Sequence, residues 1–321
     1  MQWDSLPEAL ARLQAGAHAH WGNYLGFYSS WLGGYFREPW AMLIPMDDHG
    51  FHRGDGVFEA VRIHEGAYFD LGAHLRRLEN SASMIGMKLP HTQAEITAIC
   101  VELARRARPS SGILRLYVTR GPGGFSPSPS EVVGHQVYAA LTRMAPPHER
   151  LYREGARALI SRVAAKDELF SQIKSCNYLQ NVLMKMECLQ QGFDFALSVD
   201  AQGRVCEGAT ENLLIVTESG DVVMPRFEYT LRGTTATVVL KLAEELQQEG
   251  RVKAVYQADL KIQELRRARE MAVVGTTLGV LPVTSLDGEP IGDGNVGVLA
   301  KDLHQRLLGR MAQDQALRTV F

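Results

Sequence analysis

The spacing of apolar residues changes from a helical repeat to a strand repeat within the first half of the chain, and that change restricts the folds open to it. From Leu71 to Ile85 apolar residues recur every three or four positions, which predicts an amphipathic helix, and a second such run begins at Ile96. Between Ile113 and Thr119 polar and apolar residues alternate, which predicts a strand with two different faces. The first half therefore contains both helices and a strand.

The second half contains the same two repeats in a different order. A strand-like run ends near Ile173 and leads into a helix over 179–189, and alternating runs on either side of 200–203 predict a hairpin. A helix over 235–246 and a short buried strand over 271–274 follow. The fold class predicted is therefore mixed α/β.

Two domains are expected from the length and from the position of a proline-rich break. The chain has 321 residues, and Ala145-Pro146-Pro147 is the best candidate for a linker between domains. The predicted N-terminal domain, 1–147, is a small α/β unit, and the predicted C-terminal domain, 148–321, is a larger α/β unit.

Composition and charge exclude several classes of protein. Hydrophobic residues make up 45% and charged residues 22%, as in soluble globular proteins. The formal charge is −2 and no long basic run occurs, so nucleic acid is not an expected partner. No apolar stretch approaches the roughly 20 residues that span a bilayer, and the first residues lack the pattern of a secretory signal. We therefore expect a cytoplasmic protein with no membrane partner and with reduced cysteines.

Lys174 is the first candidate for chemistry. It lies between a strand-like segment and a helix, one helical turn before Tyr178, and semi-burial there would keep part of its amine neutral and nucleophilic. By itself this signal is weak, because most lysines are solvated surface charges.

Glu207, on the return strand of the predicted hairpin, is a second candidate. A carboxylate among apolar residues needs a cationic partner, either a protonated ring nitrogen or an arginine.

Two turns rich in glycine and threonine offer donors for a phosphate. Gly233-Thr234-Thr235 opens a predicted helix, whose free N–H groups bind anions, and Gly275-Thr276-Thr277 follows a buried strand. Ordinary N-capping explains each turn as well and is the more common role of these residues. Arg77 and Arg115 are the candidate fixed cations, since a guanidinium group matches phosphate and carboxylate.

Three further features suggest functional sites, but the sequence favours an ordinary structural role for each. Residues 292–297 spell GxGxxG but follow a turn-rich stretch instead of a strand, so no dinucleotide site is expected. His49 and His52 lie near aspartates, yet no element would make them converge, so no metal site is predicted. Cys176 is predicted to be a small buried residue and not a reactive thiol.

Taken in order, these segments resemble the class IV aminotransferases, the fold-type IV family of pyridoxal 5'-phosphate enzymes that includes D-amino acid transaminase, branched-chain transaminase and aminodeoxychorismate lyase. The likeness covers nearly the whole chain and is carried by DDHGFHRGDGVFEAVR, HLRRLENSA, IKSCNYLQNVL, CEGATENLL, LRGTTA and VVGTTLGVLPV. The segments GPGGFSPSPSE and VVMPRF are most similar to those of plant-type D-amino acid transaminases. The resemblance implies the two-domain fold of this family, pyridoxal 5'-phosphate as cofactor and a homodimer.

The resemblance also implies roles for single residues. Lys174 is similar to the lysine that forms a Schiff base with the cofactor, and Glu207 to the carboxylate that faces the ring nitrogen. The other cofactor-binding positions that it implies are Arg77, Thr234, Thr235 and Thr276 for the phosphate, Leu231 against the ring and Tyr178 near the ring hydroxyl.

The substrate-binding residues that the resemblance implies differ between the branches of the family. Bacterial D-amino acid transaminases hold the substrate carboxylate with a tyrosine and an Arg-x-His pair, where this chain has Phe58 and, at 125–127, Phe-Ser-Pro. Arg115 matches an arginine of the branched-chain enzymes, and Thr277 falls where a backbone amide helps to hold substrate. At position 59 this chain has glutamate, as transaminases of the family do, whereas typical bacterial lyases carry threonine there.

The expected activity is a ping-pong transfer of an amino group between an amino acid, of the D or branched-chain type, and a 2-oxo acid. The alternative within the family is elimination of pyruvate from 4-amino-4-deoxychorismate, which gives p-aminobenzoate. A protein that only stores or senses the cofactor is a third possibility, because binding residues alone do not establish turnover.

Overall fold

The computed structural model of the protein describes residues 5–16 and 18–321. In chain order the strands are β1 (Tyr24–Ser29), β2 (Gly34–Phe36), β3 (Gly56–His64), β4 (Ala67–Phe69), β5 (Ser111–Thr119), β6 (Gln136–Thr142), β7 (Ala156–Ile160), β8 (Phe195–Val199), β9 (Val205–Gly208), β10 (Asn212–Val216), β11 (Val222–Pro225), β12 (Val255–Ala258), β13 (Glu270–Gly275), β14 (Gly279–Leu286), β15 (Glu289–Pro290) and β16 (Arg318–Val320). The α-helices are α1 (Leu6–Ala15), α2 (His49–His52), α3 (Leu71–Met84), α4 (Gln93–Ala107), α5 (Glu149–Glu154), α6 (Glu168–Ser171), α7 (Leu179–Gln190), α8 (Thr234–Gln248), α9 (Ile262–Arg266) and α10 (Val298–Gln313). Within these described stretches, no helix is long and apolar enough to cross a membrane.

The first sheet is antiparallel and has the strand order β16-β4-β3-β5-β6-β1-β2. Its central strands β3 and β5 pair along their whole length, from Gly56 opposite Thr119 to His64 opposite Ser111. Helices α3 and α4 cover one face and pack their apolar sides into a shared core with the sheet. A capping box between Thr92 and Glu95 fixes the start of α4, because each residue satisfies a backbone N–H of the other.

The alternation predicted for 113–119 is confirmed on β5. Leu114, Leu116 and Val118 are buried beneath the helices, whereas Arg115 is exposed and Tyr117 partly exposed on the opposite face. One face of the first sheet therefore supplies the core, and the other presents polar side chains to the region between the sheets.

The second sheet is mixed and has the strand order β12-β11-β10-β13-β14-β7-β8-β9, with β15 paired to β14. Strand β7 runs parallel to both of its neighbours, and β11 runs parallel to β12. Helices α8 and α10 pack on the sheet around a core that includes Val239, Leu242 and Leu303. The predicted hairpin is present, because β8 and β9 pair antiparallel across the turn at 200–203.

The two sheets follow the predicted division of the chain with one exception. Strands β1 to β6 lie before the Pro146-Pro147 break and β7 to β15 after it, but the last strand, β16, pairs with β4 in the first sheet. The C-terminal residues therefore return to the N-terminal half, and the division into domains at residue 147 stays a prediction.

The strand predicted to end near Ile173 is wrong. Strand β7 ends at Ile160, and the single helical turn α6 interrupts the chain before Ile173, whose side chain joins the core of the first sheet. The next residues pair with the start of β3 instead: Phe58 N–H donates to the Lys174 carbonyl at 2.9 Å, and Cys176 N–H donates to the Gly56 carbonyl at 2.8 Å. Lys174 is thus fixed by a long-range backbone contact, not by the end of a strand.

Helix α7 is present as predicted and is followed by Gly192 with φ of 73°. Its inner side is formed by Met184 and Cys188, which are buried. The apolar residues that predicted the helix instead face outward, and they are Leu179, Val182, Leu183, Met186 and Leu189, with exposed fractions of 42% to 65%. The predicted helix is confirmed, but its apolar face is not covered by any residue that the structure describes.

Candidate active site

A cavity of about 470 Å³ lies where β3 and β5 of the first sheet meet the turn between β13 and β14 of the second. Its walls are formed by Phe58, Ala60, Arg115, Tyr117, Lys174, Cys176, Tyr178, Thr210, Thr276 and Thr277. Six residues predicted for the site line this one space, and they are Phe58, Arg115, Lys174, Tyr178, Thr276 and Thr277.

The Lys174 amine is held between aromatic rings. Its Nζ lies 3.3 Å from the Tyr178 hydroxyl and 4.7 Å from the centroid of the Phe58 ring. Its backbone N–H donates to Ser81 Oγ at 3.1 Å, so the main chain is fixed on both sides of the residue. Burial, reinforced by the charge of Arg77, lowers the pKa of Lys174 to about 8. About a tenth of the amine is therefore neutral at pH 7, far more than for an ordinary lysine, as a nucleophilic lysine requires.

Glu207 lies on β9, next to this cavity, and has little hydrogen bonding of its own. One carboxylate oxygen accepts from the Leu231 backbone N–H at 3.1 Å, and no ion pair joins it to any residue that the structure describes. Burial raises the pKa of Glu207 to about 7. Such a carboxylate suits a cationic group that arrives from outside the protein, because a charge of that kind would relieve the desolvation.

The start of α8 leaves backbone donors without a side-chain cap. Gly233 is the N-cap residue and forms no capping hydrogen bond, while Thr234 and Thr235 occupy the first buried turn. Glycine is required at 233, because a Cβ there would lie 2.0 Å from Asn212 Oδ1. Capping by threonine, the more common role of such residues, is therefore not what this turn does. The N–H groups remain available to an anion.

The second glycine-threonine turn is also not a helix cap. Strand β13 ends at Gly275, and β14 begins at Gly279, so Thr276 and Thr277 form the turn of a hairpin. Both are at least partly exposed toward the cavity.

Arg77 is fixed by a buried carboxylate that the sequence interpretation did not assign. Its Nε and Nη2 donate to the two oxygens of Glu59, each at 2.7 Å, and its Nη1 donates to the Arg232 carbonyl at 3.0 Å. His74 Nδ1 lies 2.6 Å from the same carboxylate, and His74 Nε2 lies 3.1 Å from Thr234 Oγ1. Against the effect of burial, Arg77 and His74 lower the pKa of Glu59 to about 2, so the carboxylate stays ionised.

We call Glu59, His74, Arg77 and Thr234 the anchor network. The signal for it was present in the sequence, because Glu59 occupies the buried face of β3 together with Val57 and Val61. A carboxylate in an otherwise apolar face requires a cation, and His74 and Arg77 are one helical turn apart on α3.

Not all predicted residues line the same space, but the segment 231–234 connects them. Leu231 N–H contacts Glu207, the Arg232 carbonyl contacts Arg77, and Thr234 contacts His74. Arg77 and Thr234 open onto a further hollow of about 590 Å³, which also contains Arg76 and Arg232. Glu207, predicted to face the ring, and Arg77, predicted to face the phosphate, thus contact one short stretch of backbone.

The other motifs agree with their simpler interpretations only in part. Cys176, predicted to be buried, is partly exposed and lines the cavity. Burial raises the pKa of the Cys176 thiol to about 12, which suppresses the reactive thiolate. His49 and His52 do converge, contrary to the prediction, because both lie on helix α2 with ring centroids 4.9 Å apart. That these residues hold no metal ion stays a prediction. Residues 292–297 connect the short strand β15 to α10 and form no βαβ unit.

Comparison with known proteins gives a consistent picture. The family model for "Amino-transferase class IV" matches residues 56–286. The chloroplastic D-amino-acid transaminase of Arabidopsis thaliana is 35% identical over 290 residues, which is 90% of this chain and 77% of that protein. The crystal structure of a T.th. branched-chain amino acid aminotransferase with pyridoxamine 5'-phosphate superposes with a TM-score of 0.83 at 27% identity, covering 92% of this chain and 98% of that one.

The lyase branch is also represented among similar structures. The 4-amino-4-deoxychorismate lyase of Pseudomonas aeruginosa superposes with a TM-score of 0.74 at 27% identity, covering 90% of this chain and 99% of that one. These likenesses confirm the mixed α/β fold that the sequence predicted. Because the family match spans well over half of the chain, the protein belongs to the class IV aminotransferases.

Proposed function

We propose that this protein is a transaminase that uses pyridoxal 5'-phosphate to move an amino group between an amino acid and a 2-oxo acid. The observation that carries the proposal is the Lys174 amine, whose pKa is lowered to about 8 in a cavity, with Glu207 nearby and bonded to Leu231 just before the start of α8. An amine, a carboxylate without a counter-ion and an uncapped helix start are the three groups that this cofactor needs.

The residues present fit the cofactor at each of its ends. Lys174 would hold its aldehyde carbon, and Glu207 would face its ring nitrogen. The phosphate would contact the N–H groups of Thr234 and Thr235 and the turn at Thr276, near Arg77. Leu231 would pack against the ring and Tyr178 would lie near its hydroxyl. Two solved relatives support this choice, since their names include pyridoxamine 5'-phosphate and N-(5'-phosphopyridoxyl)-L-glutamate.

When bound, pyridoxal 5'-phosphate supplies an electron sink for the bond between the substrate α-carbon and its proton. Lys174 Nζ would take that proton from the α-carbon and deliver it to the former aldehyde carbon of the cofactor, which its lowered pKa permits near neutral pH. The Tyr178 hydroxyl, 3.3 Å away, orients the amine. Glu207 holds a proton on the ring nitrogen in place. Release of one keto acid before the next binds gives the ping-pong order.

The substrate would bind on the side of the cavity formed by the first sheet. Arg115 on β5 is exposed in that wall, and no ion pair with any described residue occupies it, so it is available for a carboxylate. Phe58 and Tyr117 stack with ring centroids 5.6 Å apart and form an apolar surface beside it. Thr277 completes this side from the second sheet. The amino donor is accordingly an amino acid of the D or branched-chain type.

The lyase reaction is the second candidate, because one solved neighbour is an aminodeoxychorismate lyase. Glu59 favours transamination over it, since lyases of the bacterial type carry threonine there. The experiment offers the purified protein D-alanine or L-leucine with 2-oxoglutarate and, separately, 4-amino-4-deoxychorismate. Glutamate formation supports the proposal, whereas p-aminobenzoate formation without glutamate would replace it by the lyase reaction.

The matched variants are Lys174→Ala and Lys185→Ala, of which the second removes an exposed lysine on α7. Lys174→Ala should reduce turnover to background and remove the visible absorption that a lysine-bound cofactor produces. Lys185→Ala should leave both unchanged. Undiminished visible absorption in Lys174→Ala would refute the role given to Lys174.

A homodimer belongs to the same proposal. The exposed apolar face of α7, formed by Leu179, Val182, Leu183, Met186 and Leu189, supports it, because such a continuous face is rarely left in water. Leu169 and Phe170, exposed at 55% and 56%, lie in the neighbouring helix α6. Leu183→Glu with Met186→Glu should convert a dimer into a monomer in light-scattering chromatography. A parent protein that elutes as a monomer would contradict this part of the proposal.

A further inference from the structure

A second lysine lies beside the site, and no role in the reaction has been given to it. Lys166 Nζ lies 4.8 Å from the centroid of the Tyr178 ring, the same ring whose hydroxyl contacts Lys174. Lys166 also lines a small hollow of about 20 Å³ that Glu207 shares. The ammonium group therefore lies beside the aromatic residue that orients the amine, and the Lys166 side chain borders the same hollow as Glu207.

Lys166 and Glu207 both lack an ion-pair partner among the described residues. Glu207 accepts one hydrogen bond, from the Leu231 N–H. A partly buried ammonium and a partly buried carboxylate that border the same hollow stabilise each other's charged form, because the dielectric constant between them is low.

We propose that Lys166 is a positioning residue that keeps Glu207 ionised and so sets the lower pH limit at which the site holds a protonated ring nitrogen. This inference rests on the proposed function for the identity of the ring, but the coupling between the two side chains does not. Lys174 cannot provide a constant counter-charge, because its proposed role requires its amine to be neutral and then bonded to the cofactor.

The charges around Glu207 agree with this role. Lys166 and Lys174 act to lower its pKa, Glu211 from the turn before β10 acts to raise it, and burial raises it most, to about 7. Arg77 from α3 and Tyr178 at the start of α7 also face it. On the other side of the pair, burial lowers the pKa of Lys166 and Glu207 opposes that change. Lys166 is the cation in this set with no covalent or hydrogen-bonding role in the proposed reaction.

The first test measures the carboxyl pKa of Glu207 in the cofactor-free full-length protein. Infrared titration follows the carboxyl band that disappears in Glu207→Gln. Lys166→Met, which keeps an unbranched side chain of similar length but removes the charge, should raise the midpoint by about one pH unit. Lys166→Arg should keep the parental midpoint, as should Lys301→Met, the control at an exposed lysine of α10.

Equal midpoints in the parent and in Lys166→Met would overturn the inference, and so would an equal shift in Lys166→Arg, which retains the charge. Either result would leave Lys166 with a packing role only.

The second test measures the affinity of the same proteins for pyridoxal 5'-phosphate across pH. A group with a raised pKa of about 7 loses its charge as the pH falls through that value, so affinity should fall below pH 7 in the parent. In Lys166→Met the fall should begin about one unit higher, which corresponds to roughly five-fold weaker binding at pH 7. Coincident profiles would overturn the inference. Failure of the parent to bind would instead refute the proposed function, while the infrared midpoints would still decide the coupling.

Discussion

Two arginines border the candidate active site, and the structure holds them in opposite ways. Arg77, on α3, has only 11% of its side chain exposed and is bonded to both oxygens of Glu59 and to the Arg232 carbonyl. Arg115, on β5, is exposed and forms no ion pair with the residues described. One guanidinium group is immobilised before any ligand arrives, and the other is free to meet one.

We propose that the difference separates a cofactor end of the site, beside Arg77, from a substrate end, beside Arg115. A cofactor phosphate stays bound through every cycle, so a rigid support such as the anchor network does not slow turnover and reduces the entropy lost on binding. Two substrates must enter and leave in turn, and an exposed arginine can bind and release each carboxylate. The anchor network is therefore part of the folded core, whereas Arg115 belongs to the ligand side.

The largest expected effect comes from removing the centre of the anchor network. Glu59→Ala leaves Arg77 and His74 buried without their carboxylate, so the free energy of unfolding should fall by about 3–5 kcal/mol, as for other broken buried pairs. Urea denaturation measures it. The matched control is Glu102→Ala, whose partner Arg106 is four residues away in an exposed pair with 58% and 39% of the side chains accessible, and it should lose less than about 1 kcal/mol.

A loss of similar size in Glu59→Ala and Glu102→Ala would remove the contrast between a supported and a free arginine. The anchor network would then be an ordinary set of surface contacts.

The second effect should appear in catalysis and leave stability almost unchanged. Arg115→Met removes the proposed carboxylate partner, and kcat/KM for the amino acid should fall by about 10- to 100-fold, the range expected for a lost hydrogen bond to a charged group. The free energy of unfolding in urea should stay within about 0.5 kcal/mol of the parent because the residue is exposed. Arg115→Lys should recover only part of the loss, since an ammonium group lacks the fork of a guanidinium group.

Parental kcat/KM in Arg115→Met would place the carboxylate site elsewhere in the cavity. Thr277 and the neighbouring backbone would be the next group to test.

The smallest effect concerns the amine that lies between the two ends. Tyr178→Phe removes one neutral hydroxyl 3.3 Å from Lys174 Nζ, and the net value of such a hydrogen bond, about 1 kcal/mol, predicts a kcat lowered roughly five-fold. Single-turnover kinetics measures it apart from product release. A loss as large as that of Lys174→Ala would mean that Tyr178 itself moves the proton.

The sequence predicted the cofactor side of the site more completely than the substrate side. Lys174, Glu207 and the start of α8 stand in family order, and helix starts and hairpins depend on local spacing that a sequence shows directly. The element around Lys174 was assigned incorrectly, because its backbone pairs with β3, more than a hundred residues away in the chain. No local repeat contains that information.

The anchor network and the outer face of α7 show two further limits. Glu59 was noted only as a residue type, since the partners that lower its pKa come from a neighbouring helix. The contact between His74 and Thr234, which links the network to α8, spans 160 residues. The apolar spacing of α7 predicted the helix but not which side is covered, because burial depends on neighbours that helical periodicity does not identify.

The central claim is that Lys174 bonds covalently to pyridoxal 5'-phosphate. The most direct measurement reduces the holoenzyme with borohydride, digests it and locates the added phosphopyridoxyl mass by mass spectrometry. The account predicts this mass on Lys174, in the segment IKSCNYLQNVL, with none on Lys166 or Lys185. A modification on another lysine, or none in a protein that retains the cofactor, would contradict it.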